Sequence, residues 1–350
     1  MQWPTVFVII LNWNGWKDTI ECLESLYSIS YPNYRVVVVD NNSVDDSLVR
    51  IEEYARGEIS VESSFFPQSI RQKSLRVTEY VREEAENVSD LIEEATGNYA
   101  CQAANEQLVI IKNEQNFGYA EGNNIGMRYA MKAAADYILL LNNDTVVHED
   151  FLSELVNAAE RDKCIGVIGP KVYWYAAPDR IQCTGAHFDF RTGRVIELNW
   201  CKTDNDLDFR PKNGLLHVDY VPGTCLLVRR KVIERVGGLD PIYFLYFEET
   251  DWCFRIRRAG YKIVCDQNAV IWHKGMASSS ATPFLAQYYL ARNRVIFVRK
   301  YGETSQLLSF LAFFPLYHAM WLLKKSRVPE IPCFVKGFID GLLIDKGASR

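Results

Sequence analysis

The sequence predicts an α/β protein with a mixed central sheet flanked by helices, and two observations predict it. First, continuous apolar runs at Thr5 to Leu11, Tyr34 to Val39, Leu108 to Ile111 and Tyr137 to Leu141 each end in a polar loop. Such runs belong to strands buried on both faces, and strands that alternate with helical patterns build a parallel sheet. Second, the pattern changes after Asp144. The stretch Arg180 to Leu198, turning at Arg191-Thr192-Gly193, reads as a hairpin, and hairpins after an α/β half make the sheet mixed and suggest an acceptor-binding second half.

The first strand runs into Asn12-Trp13-Asn14-Gly15 and a helix carrying Ile20, Leu23, Leu26 and Tyr27. The second ends in Asp40-Asn41-Asn42-Ser43 before a helix through Leu48 and Ile51. Residues 53–107 are too long for an ordinary connection and read as an insertion. Within it Val77, Tyr80, Val81, Val88, Leu91 and Ile92 at helical spacing among glutamates predict an acidic amphipathic helix, whose polar side reads as a solvated face rather than a docking site. Leu108 to Ile111, a Gly/Asn-rich loop and a helix over Ile125 to Ala134 form a third unit, and Tyr137 to Leu141 is the fourth strand. Beyond lie a helix at Phe151 to Ala159 and a strand at Ile165 to Val172.

Leu307 to Leu323 carries no formal charge, contains Pro315 and His318, and is flanked by Arg299, Lys300, Lys324, Lys325 and Arg327. Crossing a bilayer takes about 20 apolar residues. The expectation is therefore a helix or broken hairpin in the membrane interface, with a buried core helix and a span or oligomer contact as alternatives. The chain divides into 1–300, which holds the sheet, and a C-terminal helical segment, 301–350.

A formal net charge of -5 over 350 residues offers no basic surface for nucleic acid. The nine cysteines are scattered without a C-x-x-C pair, which fits a reducing cytosol rather than a zinc knuckle or disulfide framework. The start, Met1-Gln2-Trp3-Pro4, lacks a basic region, and its apolar run is too short for a signal peptide. Sequons at Asn41, Asn87 and Asn143 read as accidental.

The chemistry-bearing residues sit at strand ends, where open α/β sheets bind ligands. Asp40 suits a nucleobase or ribose, or simply closes a turn. Asn116 to Gly126 opens a helix whose glycines and N-terminal N–H groups suit a diphosphate, or merely start the helix. Asp144 is a ligand for a hard divalent cation, or a helix cap. His273 is its distant partner, and imidazole favours manganese over magnesium. Glu248, Glu249 and Asp251 crowd three acids after the aromatic run Tyr243 to Phe247. Crowding raises carboxylate pKa values toward those of a useful base, whereas an exposed acidic helix start is the plainer reading.

Together these residues resemble glycosyltransferase family 2, in its rhamnosyltransferase-like branch, over Val6 to Lys300 apart from the insertion. Ile10 to Asn14 looks like the family's first strand and loop, and Val39 to Ser43 like its nucleoside-binding turn. Asn116 to Asn124 is similar to its N-x-G-x-A-x-G-N-N segment. Asn142-Asn143-Asp144 occupies the place of its D-x-D metal motif, Glu248 to Trp252 that of its acidic motif, and His273 that of its late metal-binding histidine. Pro222-Gly223-Thr224-Cys225 and Gly237 to Asp240 fit the acceptor side.

The resemblance implies a GT-A nucleotide-diphospho-sugar transferase fold and inversion at the anomeric carbon. It implies a nucleotide-sugar donor linked to UDP or dTDP and a lipid-linked or polymeric glycan acceptor at the cytoplasmic face of the membrane, as a peripheral protein. Manganese or magnesium would be held by Asp144 and His273. Glu249 would be the base, with Glu248 or Asp251 as substitutes. Substrate contacts would come from Asn12, Asn14, Asp40, Asn42, Asn116, Gly118, Asn123, Asn124, Asn143, Gly223 and Thr224. Asn142, standing where the motif has its first Asp, motivates the alternative of a non-catalytic nucleotide-sugar-binding or complex-organising protein. A sugar-1-phosphate nucleotidyltransferase would carry a basic Gly-rich loop where this chain has Asn12 to Trp16.

Overall fold

The structure is a computed structural model that describes residues 3–66, 74–87, 107–207, 211, 213–275 and 283–344. Its first half runs β1 (Val6–Asn12), α1 (Trp16–Leu26), β2 (Tyr34–Asp40), α2 (Ser47–Ala55), β3 (Arg76–Val81), α3 (Arg82–Glu86), β4 (Gln107–Lys112), α4 (Gly118–Lys132) and β5 (Tyr137–Asn142). The second half runs β6 (Thr145–Val147), α5 (Phe151–Arg161), β7 (Ile165–Trp174), β8 (Ala177–Cys183), β9 (Ala186–Asp189), β10 (Arg194–Glu197), β11 (Leu215–His217), β12 (Cys225–Arg229), α6 (Arg230–Val236), α7 (Glu248–Arg258) and β13 (Lys262–His273). Three helices end the described chain: α8 (Pro283–Tyr301), α9 (Thr304–Lys324) and α10 (Ile331–Leu343).

One sheet carries the fold, in the order β11, β13, β7, β12, β5, β1, β2, β4, β3, with β6 on β13 and β8 on β7. β1 pairs in parallel with both β2 and β5, and β12 enters antiparallel beside β5. This is the mixed sheet the sequence predicts. The β-branched and leucine side chains of β1, β2 and β5 are buried on both faces, as their continuous apolar runs require. Register places Asn12 opposite Asp40 and Leu11 opposite Asn142, so three polar strand ends lie abreast at one edge. The chain of β12 starts at the same edge, since Cys225 pairs with Leu141. His273, the last residue of β13, pairs with Thr145. His273 thus arrives beside Asp144, 129 positions away in the chain.

The insertion departs from expectation. Val77, Tyr80 and Val81 lie in strand β3, which pairs in parallel with β4 at the sheet edge, rather than on an amphipathic helix. A neighbouring strand with free edge hydrogen bonds outweighs helical spacing in a short segment. The short helix α3 follows, and Val88, Leu91 and Ile92 lie outside the described residues.

Pro315 sits inside α9 without breaking it, so the apolar segment is one helix of 21 residues rather than a broken hairpin. It is long and apolar enough by length and composition to cross a membrane, and its apolar window is only 17% buried, which argues against a core helix. α9 buries Phe310, Phe314 and Leu322, while Leu308, Phe313, Leu316, Met320 and Leu323 are exposed. α10 packs on α8 through Gly337 and Gly341; a Cβ at Gly341 would lie 2.5 Å from the carbonyl oxygen of Arg292. Its other face shows Val335, Ile339, Leu342 and Leu343 to solvent.

Candidate active site

The polar ends of β1 and β2 lock onto each other. Asn12, fully buried, donates from Nδ2 to Asp40 Oδ1 (2.7 Å) and to Ser43 Oγ, and accepts from Thr19 Oγ1. Asp40 also accepts from the Ser43 backbone N–H (2.9 Å) and Ser43 Oγ (2.6 Å), closing the turn after β2. Asn14 and Asn42 adopt left-handed backbone at φ 52° and 62°, which asparagine tolerates better than most residues. Asn14 Oδ1 accepts from the N–H groups of Val44 and Asp45, tying the two loops into one wall.

The start of α4 is built by asparagines, and here the diphosphate reading of the helix N-terminus is corrected. The Phe117 N–H donates to Asn41 Oδ1, the Gly118 N–H to Asn116 Oδ1, and the N–H groups of Tyr119 and Ala120 to the Phe244 carbonyl. Those donors are therefore spent within the protein. Asn123 donates to the Tyr119 carbonyl, and Asn124 exchanges hydrogen bonds with both the N–H and the C=O of Leu239. Gly118 takes φ +76°, and a Cβ there would lie 2.5 Å from the Phe244 ring, so no larger residue fits.

Asp144 and His273 come together. Nε2 of His273 lies 3.2 Å from Oδ1 of Asp144, and its Nδ1 is 2.7 Å from Gln182 Oε1. Burial opposes ionisation of Asp144, but the hydrogen bond and charge of His273 outweigh it and hold the carboxyl below its usual range. Two cation ligands at right angles, each about 2.1 Å from the ion, stand about 3 Å apart. In the neutral tautomer with Nδ1–H donated to Gln182, Nε2 would present a lone pair to a cation in place of the N–H it directs at Asp144 here, the arrangement in which an outer partner orients a metal-binding histidine. The pair therefore suits a divalent cation, though among the described residues no third His, Cys, Asp or Glu joins it. Lys274 is held by Asp18 (2.6 Å) and Glu21 (2.5 Å) next to this pair. Asn143 donates to Thr19 Oγ1, which backs it onto α1.

Tyr119, which sequence reasoning missed, links the two halves. Its hydroxyl lies 3.1 Å from Asn142 Oδ1 and donates to the Gly223 carbonyl at 2.7 Å. A Cβ on Gly223 would lie 3.4 Å from that hydroxyl and 3.7 Å from Cγ of Glu249, so Glu249 stands against the same spot. The Thr224 carbonyl accepts from the Asn142 N–H, fixing the start of β12 to the end of β5. Burial, then the charges of Glu248 and Glu249, push the Tyr119 phenol well above its usual range, so it remains a donor.

The three acids part ways. Glu248 is buried with Oε2 lacking a hydrogen-bond partner, and burial together with the Glu249 charge pushes its carboxyl well above the usual range. Glu249 is also raised by burial, but the backbone N–H groups at its own position and at Thr250 offset part of this. Burial thus raises both carboxyls, Glu248 further above the ordinary carboxylate range than Glu249. Asp251 is corrected from a catalytic to a packing role. Its fully buried carboxylate is engaged by Arg255 Nε (2.7 Å), Lys300 Nζ (2.9 Å), Tyr301 Oη (2.7 Å) and Tyr243 Oη (3.1 Å).

The loop that aims these acids is strained. Phe244, Tyr246 and Phe247 all have positive φ, at 58°, 68° and 73°, where bulky side chains rarely sit. Asn293 on α8 holds it, with Nδ2 within 2.7 to 2.8 Å of the carbonyls of Tyr243, Leu245 and Tyr246. No local sequence signal marks Asn293, because its partners lie 47 to 50 residues away.

A mixed sheet with its polar strand ends, an Asp–His pair and an acid pair gathered on one edge defines a nucleotide-sugar type of site, and the comparisons agree. The model for "Glycosyltransferase like family 2" matches residues 67–296, and that for "Glycosyl transferase family 2" matches residues 7–73. The chain belongs to glycosyltransferase family 2.

It is 26% identical over 159 residues to the low-salt glycan biosynthesis hexosyltransferase Agl10 of Haloferax volcanii, covering 42% of this chain and 46% of that protein. It is 33% identical over 160 residues to the N-acetylglucosaminyl-diphospho-decaprenol L-rhamnosyltransferase of Mycobacterium tuberculosis, covering 42% of this chain and 50% of that protein. The matches thus span about half the length of these curated relatives. Among solved structures it is similar to the mannosyltransferase PcManGT of Pyrobaculum calidifontis in complex with GDP-Man and Mn2+. The TM-score is 0.54 at 12% identity, covering 98% of this chain and 88% of that one. A likeness at that identity carries the GT-A fold alone.

Proposed function

We propose that the chain is an inverting glycosyltransferase that takes a sugar from a UDP- or dTDP-linked donor, rhamnose among the candidates, to a hydroxyl of a lipid-linked or polymeric glycan. Cell-envelope polysaccharide and glycoprotein glycan synthesis are the settings this reading suits. The observation that supports it is the bridge through Tyr119, which joins Asn142, two residues before the Asp144 that pairs with His273, to Gly223, beside which Glu249 stands.

In this reading Asp40 and the loop tied by Asn14 hold the nucleoside, and Asp144 with His273 would hold manganese or magnesium on the diphosphate. Bound there, the cation would offset charge on the departing diphosphate. Ionised Glu249 takes the proton of the acceptor hydroxyl. The hydroxyl oxygen bonds to the anomeric carbon from the face opposite the phosphate, and the bond to the phosphate oxygen breaks with its electron pair leaving on the nucleotide. Residues 1–300 act as the transferase domain and 301–350 as a peripheral attachment to the cytoplasmic membrane face, with the exposed apolar sides of α9 and α10 against lipid.

Asn142 carried the non-catalytic alternative, but its Oδ1 faces Tyr119, where an amide serves as well as a carboxylate. The test is a thermal-shift screen of UDP-, dTDP- and GDP-sugars with and without manganese, followed by product analysis with a lipid-linked acceptor. A true donor at about 100 times its Kd stabilises the fold by about 2.7 kcal/mol. A screen in which no nucleotide-sugar shifts the melting point in the presence of manganese would sink the reading.

A further inference from the structure

Arg294, in the middle of α8, is a cation the mechanism above does not use. Its Nε is buried without a hydrogen-bond acceptor, and among the described residues no carboxylate lies within ion-pair distance of it. Instead its guanidinium stands over aromatic rings, 5.4 Å from the centroid of Phe247 and 4.8 Å from that of Phe314. Burial lowers its pKa to about 10, which still leaves it charged at neutral pH. Cation–π contacts recover only part of what a guanidinium loses on leaving water, so an anion that completes the site would be held strongly.

The surroundings say which anion. Phe247 directly precedes Glu248 and Glu249, so Arg294 packs on the residue that leads into the acid pair. The tip of the β9–β10 hairpin closes over it: a Cβ on Gly193 would meet Arg294 Cδ at 3.2 Å and the Phe310 ring at 2.5 Å. The next residue, Arg194, is exposed and lies 5.5 Å from the ring centroid of Tyr317 on α9. Tyr317 stacks on Phe313 at 5.3 Å, and Phe313 opens onto the exposed row Leu316, Met320 and Leu323. Contacts therefore run from Phe247, two residues before Glu249, past two arginines to an apolar helix face. A neutral polymeric glycan has no anion for the arginines, and even an anionic one has no alkyl chain for the helix; a lipid phosphate has both.

Building on the transferase reading, we propose that Arg294, with Arg194 at the mouth, binds the phosphate or diphosphate of a lipid-linked acceptor. The acceptor sugar then reaches Glu249, and its chain lies along the exposed face of α9.

The test reads binding in detergent micelles without metal or donor, using wild type, Arg294→Gln, Arg294→Lys and Arg194→Gln. Farnesyl diphosphate supplies anion and chain, farnesol the chain alone, and vesicles containing phosphatidylglycerol a bilayer headgroup. Farnesyl diphosphate is expected to bind wild type at least about tenfold more tightly than farnesol, the scale of a charge-assisted contact. Arg294→Gln removes most of that preference, Arg294→Lys restores part of it, and Arg194→Gln weakens it a few-fold. Farnesol and vesicle binding stay unchanged. Equal farnesyl diphosphate binding in wild type, Arg294→Gln and Arg194→Gln overturns the proposal, as does a parallel loss of vesicle binding, which would mark a headgroup site. If Arg294→Gln does not fold, the exposed Arg194→Gln decides alone. Because no sugar is transferred in this assay, an inactive wild type would overturn the catalytic reading without touching this result.

Discussion

Replacing each glutamate of the acid pair by glutamine separates a base from a proton holder. Glu248 is buried, has an unpartnered Oε2, and is pushed well above the usual carboxylate range by burial and by the Glu249 charge. That shift favours its protonated, uncharged form, and glutamine has nearly the same shape and no charge. Glu248→Gln should therefore change kcat/KM by no more than a few-fold. Glu249 is raised less, because backbone N–H groups offset part of the burial.

Removing a general base costs about 10²- to 10⁴-fold, and at about 1.4 kcal/mol per decade that is about 3 to 5 kcal/mol of transition-state stabilisation. Glu249→Gln should lose that much in kcat/KM while donor binding, followed by thermal shift, stays at wild-type strength. The wild-type rate should rise with pH along an acidic limb that lies above the ordinary range of about 4.3, and Glu249→Gln should flatten it. The same shift predicts stability of the opposite sign. Both carboxyls are raised in the folded state, so their contribution is fully present below the unfolded pKa and is lost as pH rises through the folded values. Steady-state kinetics from pH 5 to 9 on the two variants decide the matter. Equal losses in both variants, or a pH profile identical in Glu249→Gln, would refute the assignment.

Three further perturbations test the rest of the site. Gln182→Leu frees Nδ1 of His273 and should weaken manganese binding about 10- to 100-fold, read by calorimetric titration in the presence of the nucleotide. Asp251→Asn leaves Arg255 without its buried counter-charge and Lys300 with Asp240 alone, and should cost about 3 kcal/mol in chemical denaturation, as expected of a packing residue and not of a base. Leu316→Glu with Leu323→Glu places two charges on the exposed side of α9; flotation with anionic vesicles should drop at least tenfold while soluble donor binding is unchanged.

Much of the scaffold was legible because buried parallel strands write themselves as continuous apolar runs, and polar residues at their ends stand out against them. Asn12, Asp40, Asn142 and Asp144 are of that kind, and the register of β1 with β2 and β5 aligns the first three. The insertion misled because Val77, Tyr80 and Val81 satisfy helical spacing as well as strand content, and only the open edge of β4 chooses. At the start of α4, glycines and asparagines signal a special backbone equally well whether its N–H groups meet a ligand or the Phe244 carbonyl. Tyr119 was hidden inside a motif whose asparagines drew the attention, while its partners Asn142 and Gly223 lie 23 and 104 residues away.

The sequence by itself determined the family, the order of strands and loops, and the set of strand-end residues from which a site is made, because local patterning and motif order are properties of the chain. Only the tertiary structure decided what each of those residues does. It joined Asp144 to His273, turned Asp251 into the hub of a buried ion network, left Glu248 Oε2 without a hydrogen-bond partner beside Glu249, and set Arg294 against aromatic rings with no ion-paired carboxylate among the described residues. Those outcomes depend on which groups burial brings within hydrogen-bond reach across long separations, and on how far burial strips them of water.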